Sequence, residues 1–194
     1  MKFYTTGMVQ TNFKKGYTIV EIMVAITIFV VIIAAPIGFL ISTLKAQQKI
    51  LFSQELLDNT SYAIEYMSRA LRMAKKDVNQ TCIGKNENYQ ITRAGTGIKF
   101  LNYNNYCQEF YLETGVLKEY NGGRIPNTLS LSSSNTNVLN FKIVSGGWSQ
   151  ADLLQPKVTL YYEAERSIAG RPELKPLIKI QTTISQRDMD INIQ

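Results

Sequence analysis

Residues 14–21 read Lys-Lys-Gly-Tyr-Thr-Ile-Val-Glu, and residues 22–44 continue as IMVAITIFVVIIAAPIGFLISTL without a charged side chain. A bilayer core needs about 20 apolar residues in helical form, so residues 17–44 are long enough to form one membrane-spanning helix. Lys14 and Lys15 favour the cytoplasmic side for the segment before this helix, which places the remainder of the chain outside. Glu21 is unusual at the edge of the apolar block, because a carboxylate near hydrocarbon costs free energy and such residues usually have a function.

Gly16 is a small residue that a peptidase subsite could accept, and it stands before the apolar block. A secretory signal is cut after its apolar region, whereas cleavage at Gly16 would leave the helix on the mature protein. The mature chain would then carry a free amine at Tyr17 and a carboxylate at Glu21. If such helices pack together, the amine of one chain can neutralise the Glu21 of a neighbour, which relieves the cost of removing both charges from water.

The sequence of residues 14–21 in front of an apolar helix resembles the leader and N-terminus of type IV pilins and type II secretion pseudopilins. The resemblance implies cleavage between Gly16 and Tyr17 by an inner-membrane prepilin peptidase, which also methylates the new amine of Tyr17. It implies that Glu21 guides assembly into a helical filament. The family usually has Phe where this chain has Tyr17, so an aromatic ring is retained. The alternative is a plain signal anchor with a chance glutamate.

The hydropathy pattern and the resemblance together divide the chain into four segments. Residues 1–16 are the leader, which an internal start at Met8 would shorten, and residues 17–44 are the transmembrane and filament-core helix. Pro36 removes a helical hydrogen bond and Gly38 weakens the same turn, so we expect a kink there. Residues 45–78 are an amphipathic continuation of the helix, and residues 79–194 are an extracytoplasmic β-rich part.

The amphipathic segment contains no proline or glycine, and its apolar residues recur at intervals typical of a helix. This stripe consists of Ile50, Leu57, Ile64, Leu71 and Val78, extended by Met67 and Ala74. It could form a coiled-coil seam, but the strand-rich sequence that follows favours a sheet as the partner. We therefore predict an α+β fold in which a long N-terminal helix packs on an antiparallel β-sheet, which the resemblance identifies as the pilin fold.

Short segments rich in aromatic and β-branched residues predict strands after residue 88. They cover residues 89–93, 98–103, 107–112, 116–120, 138–144, 157–163 and 177–185. Residues 94–97 and 113–115 read as hairpin turns, and residues 128–137 read as a loop or a ragged edge strand. The alternating segments 157–163 and 177–184 are expected to pair in antiparallel fashion. Residues 181–187 also resemble the ending of many pilin-like minor subunits.

The two cysteines, Cys82 and Cys107, lie in the part expected outside the cytoplasm, where disulfides persist. Closing a loop of about 25 residues would stabilise the fold by roughly 3 kcal/mol. Two unpaired buried thiols are the alternative. A bond would be structural, because no C-x-x-C redox spacing occurs.

The composition excludes several kinds of chemistry. The chain has no histidine, which removes Ser/His/Asp and Cys/His nucleophilic systems and the common zinc clusters. No phosphate-binding glycine loop opens a helix, so neither an enzyme nor a cofactor is expected. The net charge of +6 includes three leader lysines, and the basic residues are scattered, which does not predict nucleic-acid binding. Asp188 and Asp190 are read as a solvated tail rather than a metal site.

The aromatic residues leave a binding role open. A surface patch for sugars, DNA or other subunits could include Tyr103, Tyr106, Tyr111, Tyr120, Tyr161 and Tyr162. Packing on half-buried strands is the favoured explanation, because tyrosine is common there. Trp148 lies in a Gly-Gly-Trp-Ser loop and is either an interaction site or a plug over a sheet edge.

The expected function is that of a structural subunit in a type IV pilus-like, type II secretion-like or competence filament. Length, variable loops and the tail favour a minor subunit over the main repeating one. The expected partners are prepilin peptidase, other pilin or pseudopilin subunits, an inner-membrane assembly platform, and membrane lipid before assembly. The alternative is a binding module at the filament tip, either an adhesin or a DNA-uptake subunit.

Overall fold

In the computed structural model of the protein, the described residues are 16–146, 155–167, 170 and 175–187. The leader up to Lys15, the loop with Trp148, and the acidic residues Asp188 and Asp190 lie outside the described residues. The chain divides into two compact units, Met1–Leu44 and Lys45–Gln194. Each unit is described by itself.

One long α-helix, one short 3-10 helix (Arg93–Gly95) and eight strands make up the described structure. Helix α1 spans Ile19–Arg72. The strands are β1 (Gln90–Thr92), β2 (Gly97–Leu101), β3 (Cys107–Glu113), β4 (Val116–Asn121), β5 (Asn127–Ser130), β6 (Thr136–Gly146), β7 (Lys157–Arg166) and β8 (Leu177–Ser185). Every predicted strand has a counterpart, and the α+β class is confirmed.

The strands form two antiparallel sheets rather than the single sheet expected. The first has the order β1-β2-β3-β4-β5, and the second has the order β6-β7-β8. The pairing of β7 with β8 is antiparallel, as the alternating patterns of the two segments predicted. Strand β5 is a fully exposed edge strand in the stretch read as a loop or ragged edge.

The core of the second unit lies between the latter part of α1 and both sheets. Leu56, Met67 and Leu71 of α1 are buried there, together with large side chains of each sheet. The largest of these from the sheets are Phe100, Phe110, Phe141, Leu160 and Tyr162. Both sheets therefore pack against one face of the helix, and apolar side chains of the helix contact each sheet.

The predicted apolar stripe is partly wrong. The buried helix positions are Leu56, Thr60, Ala63, Met67 and Leu71, with Ala74 just beyond the helix, whereas Ile50, Leu57 and Val78 are exposed. A strict seven-residue repeat drifts by about 20° per heptad on an α-helix with 3.6 residues per turn. Over several turns that drift rotates Leu57 and Ile50 away from the face that carries Leu71.

The helix also ends at Arg72, six residues before the predicted end. The Tyr89 hydroxyl donates to the Leu71 carbonyl oxygen at 2.7 Å, and the Arg187 N–H donates to the Arg72 carbonyl oxygen at 2.8 Å. The Gln186 amide donates to the carbonyl oxygen of Ala74 at 2.7 Å. These partners, distant in sequence, satisfy carbonyl groups that a helix end leaves free. No local glycine or proline marks the end, which is why the sequence pattern overshot.

A disulfide closes the loop that follows the helix. The Cys82 and Cys107 sulfur atoms are 2.05 Å apart, and the bond joins this loop to the first residue of β3. The expected disulfide is therefore present in the structure.

Candidate assembly site at the helix N-terminus

The start of α1 is set by a threonine cap. The Glu21 N–H donates to the Thr18 side-chain oxygen at 3.2 Å, and the Ile22 N–H donates to the Thr18 carbonyl oxygen at 3.2 Å. A Thr-x-x-Glu sequence favours such a start, because the hydroxyl accepts from an N–H that the helix leaves free. Glu21 is thereby held in the first turn, where the positive end of the helix dipole favours a carboxylate.

Glu21 shares one face of the helix with apolar and aromatic side chains. A shallow open groove on this face is lined by Tyr17, Glu21, Ala25, Phe29 and their neighbours. The four residues are spaced four apart, which places them one above another along a helix. The Glu21 carboxylate therefore lies at the N-terminal end of an apolar stripe, about one helical turn from the Tyr17 backbone nitrogen.

The side chains of this first unit have no tertiary partners among the described residues. The large apolar side chains from Ile22 to Ile41 are between 41% and 75% exposed. Glu21 forms no ion pair within the part of the chain that the structure describes. So much exposed apolar surface is unstable in water, so the segment requires a bilayer or other helices around it.

The polar side chains in the apolar segment are satisfied by the helix itself. The Thr27 hydroxyl donates to the Met23 carbonyl oxygen at 2.6 Å, and the hydroxyls of Ser42 and Thr43 donate to the Phe39 carbonyl oxygen. Hydrogen bonds of this kind remove the cost of placing a hydroxyl in hydrocarbon. Glu21 is the one Asp, Glu, Lys or Arg residue of segment 17–44, and its carboxylate has no ion-pair partner among the described residues.

Gly16, Pro36 and Gly38 are the remaining predicted residues of this segment. A Cβ atom built on Gly16 or Gly38 would meet no other atom within 4 Å. Helix α1 continues through Pro36. The kink at Pro36 and Gly38 stays a prediction. Helix α1 is long and apolar enough to cross a membrane by length and composition.

The comparison with known families bears on this same segment. The family described as the prokaryotic N-terminal methylation motif matches residues 11–35. The chain therefore carries an N-terminal methylation motif, which supports the resemblance to type IV pilins and pseudopilins. The match covers the predicted cleavage position, Glu21 and the first part of α1. No curated protein and no solved structure matches the chain significantly.

The tyrosines mostly serve packing in the pilin β-rich part. Tyr111 and Tyr162 are buried, and Tyr120 and Tyr161 are half-buried. Tyr103 and Tyr106 are exposed on the connection between β2 and β3. A single surface patch of all six is therefore not formed. Among the described residues, no three His, Cys, Asp or Glu side chains group together as metal ligands would.

The sequence reading missed two buried acidic groups of this domain. Asp77 and Glu119 are both almost fully buried. Leu117 and Glu119 are two residues apart, and both lie on the inward face of β4. A charged residue at a core-facing position of a strand pattern was a readable signal. Asp77 had no such signal, because its burial depends on how the following loop folds back.

Proposed function

We propose that the protein is a minor subunit of a type IV pilus-like or type II secretion-like filament. Its N-terminal helices would assemble after the leader is removed between Gly16 and Tyr17. In this role Glu21 meets the Tyr17 amine of a neighbouring subunit, and the β-rich units form the coat of the filament. The minor role rests on the length, the loops and the tail of the chain.

The observation that carries the proposal is the helix segment whose apolar side chains have no partners. Its side chains are exposed over more than five turns, and its one ionisable group lies in the first turn. A lone anchor needs apolar side chains but no carboxylate at this position. A helix that leaves the bilayer for a bundle of its own kind needs both, because the carboxylate finds its counter-charge only on another subunit.

The location of the protein changes with assembly in this role. Before assembly it is a single-pass protein of the cytoplasmic membrane, surrounded by lipid, with its N-terminus inside and the β-rich unit outside. A prepilin peptidase and an inner-membrane assembly platform act on it there. After assembly it is part of an extracytoplasmic filament. Structural subunits of this kind carry out no reaction.

The test is the intact mass and N-terminal sequence of the protein recovered from its native membrane fraction. We expect a chain that begins at methylated Tyr17. The control is Gly16→Val, whose added Cβ atom has no neighbour within 4 Å and whose larger side chain should block the peptidase subsite. The control should retain residues 1–16 and the same thermal stability. A wild-type chain that still begins at Met1 or Met8, in cells with active peptidase, would contradict the proposal.

The copy number in sheared filaments then separates a minor from a major subunit. A minor subunit should be present at a small fraction of the main repeating protein. Quantitative mass spectrometry of sheared filaments measures this ratio. A chain that dominates the filament mass would contradict the minor role but not the filament role.

A further inference from the structure

A cleft with both polar and apolar lining residues lies in the second unit. It has a volume of about 300 Å³. Its lining includes Tyr66, Arg69 and Met73 from α1 and the residue after it, Tyr103 from the connection between β2 and β3, Gln108 of β3 and Asn121 of β4. This volume is at the lower end of the range of clefts that hold small molecules, about 300–1,000 Å³.

A chain of hydrogen bonds behind this cleft fixes the orientation of its amides. The Asn102 side-chain oxygen accepts from the N–H groups of Asn104 and Tyr106, each at 3.0 Å. Because backbone N–H groups can only donate, the Asn102 amide nitrogen must point the other way. It donates to the Gln108 side-chain oxygen at 3.3 Å.

The chain continues to a buried carboxylate. The Gln108 amide nitrogen donates to Glu119 Oε1 at 2.7 Å, and the Tyr66 hydroxyl donates to the same oxygen at 2.9 Å. Asn102, Gln108 and Glu119 are only 2–4% exposed. Burial and the Glu119 carboxylate raise the pKa of Tyr66 to about 12, so its hydroxyl keeps the proton that it donates. The amides are therefore held in one orientation before any ligand arrives.

One amide of the cleft keeps N–H groups that a ligand can reach. The amide nitrogens of Asn102 and Gln108 are almost fully buried and already donate within the hydrogen-bonded chain. Asn121 is half-buried, and its side-chain oxygen accepts from the Gly123 N–H at 3.1 Å, which orients its nitrogen as a donor. The cleft consequently offers the Asn121 amide as a donor whose position is set by the fold.

The charges around the cleft favour a neutral ligand. The Glu119 carboxylate lies directly behind Gln108 and would repel an anion. Arg69, the cation of the wall, already pairs with Glu65. A cation would need carboxylate oxygens, but Glu119 is buried and its Oε1 atom already accepts two hydrogen bonds.

One exposed aromatic ring completes the cleft. Tyr103 is 57% exposed and lines the cleft. A tyrosine ring offers an apolar face and a polar tip, which suits a ligand that has both kinds of surface. A neutral molecule with many hydroxyl acceptors and an apolar C–H face is a sugar. We propose that this cleft binds a neutral saccharide, a role that does not depend on filament assembly.

The test uses the full chain in detergent and a panel of methyl glycosides of glucose, galactose, mannose and N-acetylglucosamine. Saturation-transfer NMR identifies which sugar binds, and titration gives its Kd. Asn121→Asp keeps the oxygen that accepts from Gly123 but removes the N–H donors of the amide. We expect it to weaken the Kd tenfold or more, which is the effect of losing one well-placed hydrogen bond.

Two further variants separate binding from folding. Tyr103→Ala removes the exposed ring and should also weaken the Kd at least tenfold, with unchanged thermal unfolding. Tyr62→Ala removes another exposed tyrosine, which does not line the cleft, and should change the Kd by less than twofold. The proposal is overturned if no sugar of the panel binds, or if Tyr62→Ala weakens binding as much as Tyr103→Ala does.

Discussion

At the level of single residues, Asp77 holds together the loop that leaves the helix. Its carboxylate accepts from the N–H groups of Thr81, Cys82 and Ile83 at 2.6–2.9 Å, and from the Thr81 hydroxyl. Burial alone would raise the pKa of Asp77, but these hydrogen bonds outweigh burial and the pKa is lowered. A buried carboxylate surrounded by donors behaves in this way because the donors favour its charged form.

The lowered pKa has a consequence for stability against acid. The pKa of an unfolded-state Asp is about 3.9. A carboxyl group whose pKa is lower in the folded state stabilises the protein at a pH above the unfolded-state pKa. The stabilisation is lost as the pH falls through the folded pKa. Asp77→Asn should lower the free energy of unfolding at pH 7 by about 1–3 kcal/mol, because buried N–H groups lose an acceptor. It should also flatten the dependence of stability on pH below 4.

Thermal unfolding of the full chain in detergent, measured from pH 7 down to pH 2.5, checks this prediction (the pH limits are roughly those over which Asp titrates). The control is Asp58→Asn, which removes an exposed carboxylate of α1. An Asp77→Asn profile that runs parallel to the wild-type profile would show that another group controls acid stability.

At the level of elements, two adjacent leucines of α1 differ in whether they pack in the core. Leu56 is 2% exposed and belongs to the core, whereas Leu57 is 46% exposed. Leu56→Ala should lower the free energy of unfolding by about 2–5 kcal/mol, because it leaves a cavity between the helix and the sheets. Leu57→Ala should cost less than about 1 kcal/mol. Denaturant unfolding of both variants measures the difference. Equal losses of stability would mean that α1 does not bury the face that carries Leu56 in preference to the face that carries Leu57.

The disulfide joins the loop after α1 to the first residue of β3. Replacing Cys82 and Cys107 together by serine should lower the free energy of unfolding by roughly 3 kcal/mol, because the unfolded chain regains a loop of about 25 residues. The same change should appear when the wild-type protein is reduced. Thermal unfolding with and without a reductant measures it, and a double variant as stable as the wild-type protein would contradict a structural role.

At the level of the whole molecule, the apolar segment has no tertiary partners among the described residues. Glu21→Gln keeps the size and the helix start but removes the charge that a neighbouring amine would neutralise. We expect normal cleavage and normal unfolding of the β-rich unit, but a loss of tenfold or more of the protein in sheared filaments. The control Asp58→Asn removes an exposed carboxylate outside the apolar segment and should assemble normally. Normal incorporation of Glu21→Gln would contradict the assembly role of Glu21.

What the sequence by itself determined was the part of the protein that local patterns can encode. The apolar run and its Lys-Lys-Gly-Tyr-Thr-Ile-Val-Glu start predicted the helix and its family. Period-two alternation predicted the strands, since both signals arise between residues close in sequence. The helix start was readable for the same reason, because Thr18 and Glu21 are three residues apart.

What only the tertiary structure decided depends on residues that are far apart in the chain. The helix ends at Arg72, where Tyr89 and Arg187 supply donors to the carbonyl groups of Leu71 and Arg72, and Gln186 supplies one to Ala74 just beyond the end. Leu56 rather than Leu57 faces the core because the sheets select one side of a helix that is apolar on several. The cleft exists because α1, β3 and β4 place Tyr66, Gln108 and Glu119 in one hydrogen-bonded chain. Some of these contacts join residues far apart in the chain, such as Tyr66 and Glu119, which are 53 residues apart, and no local periodicity records them.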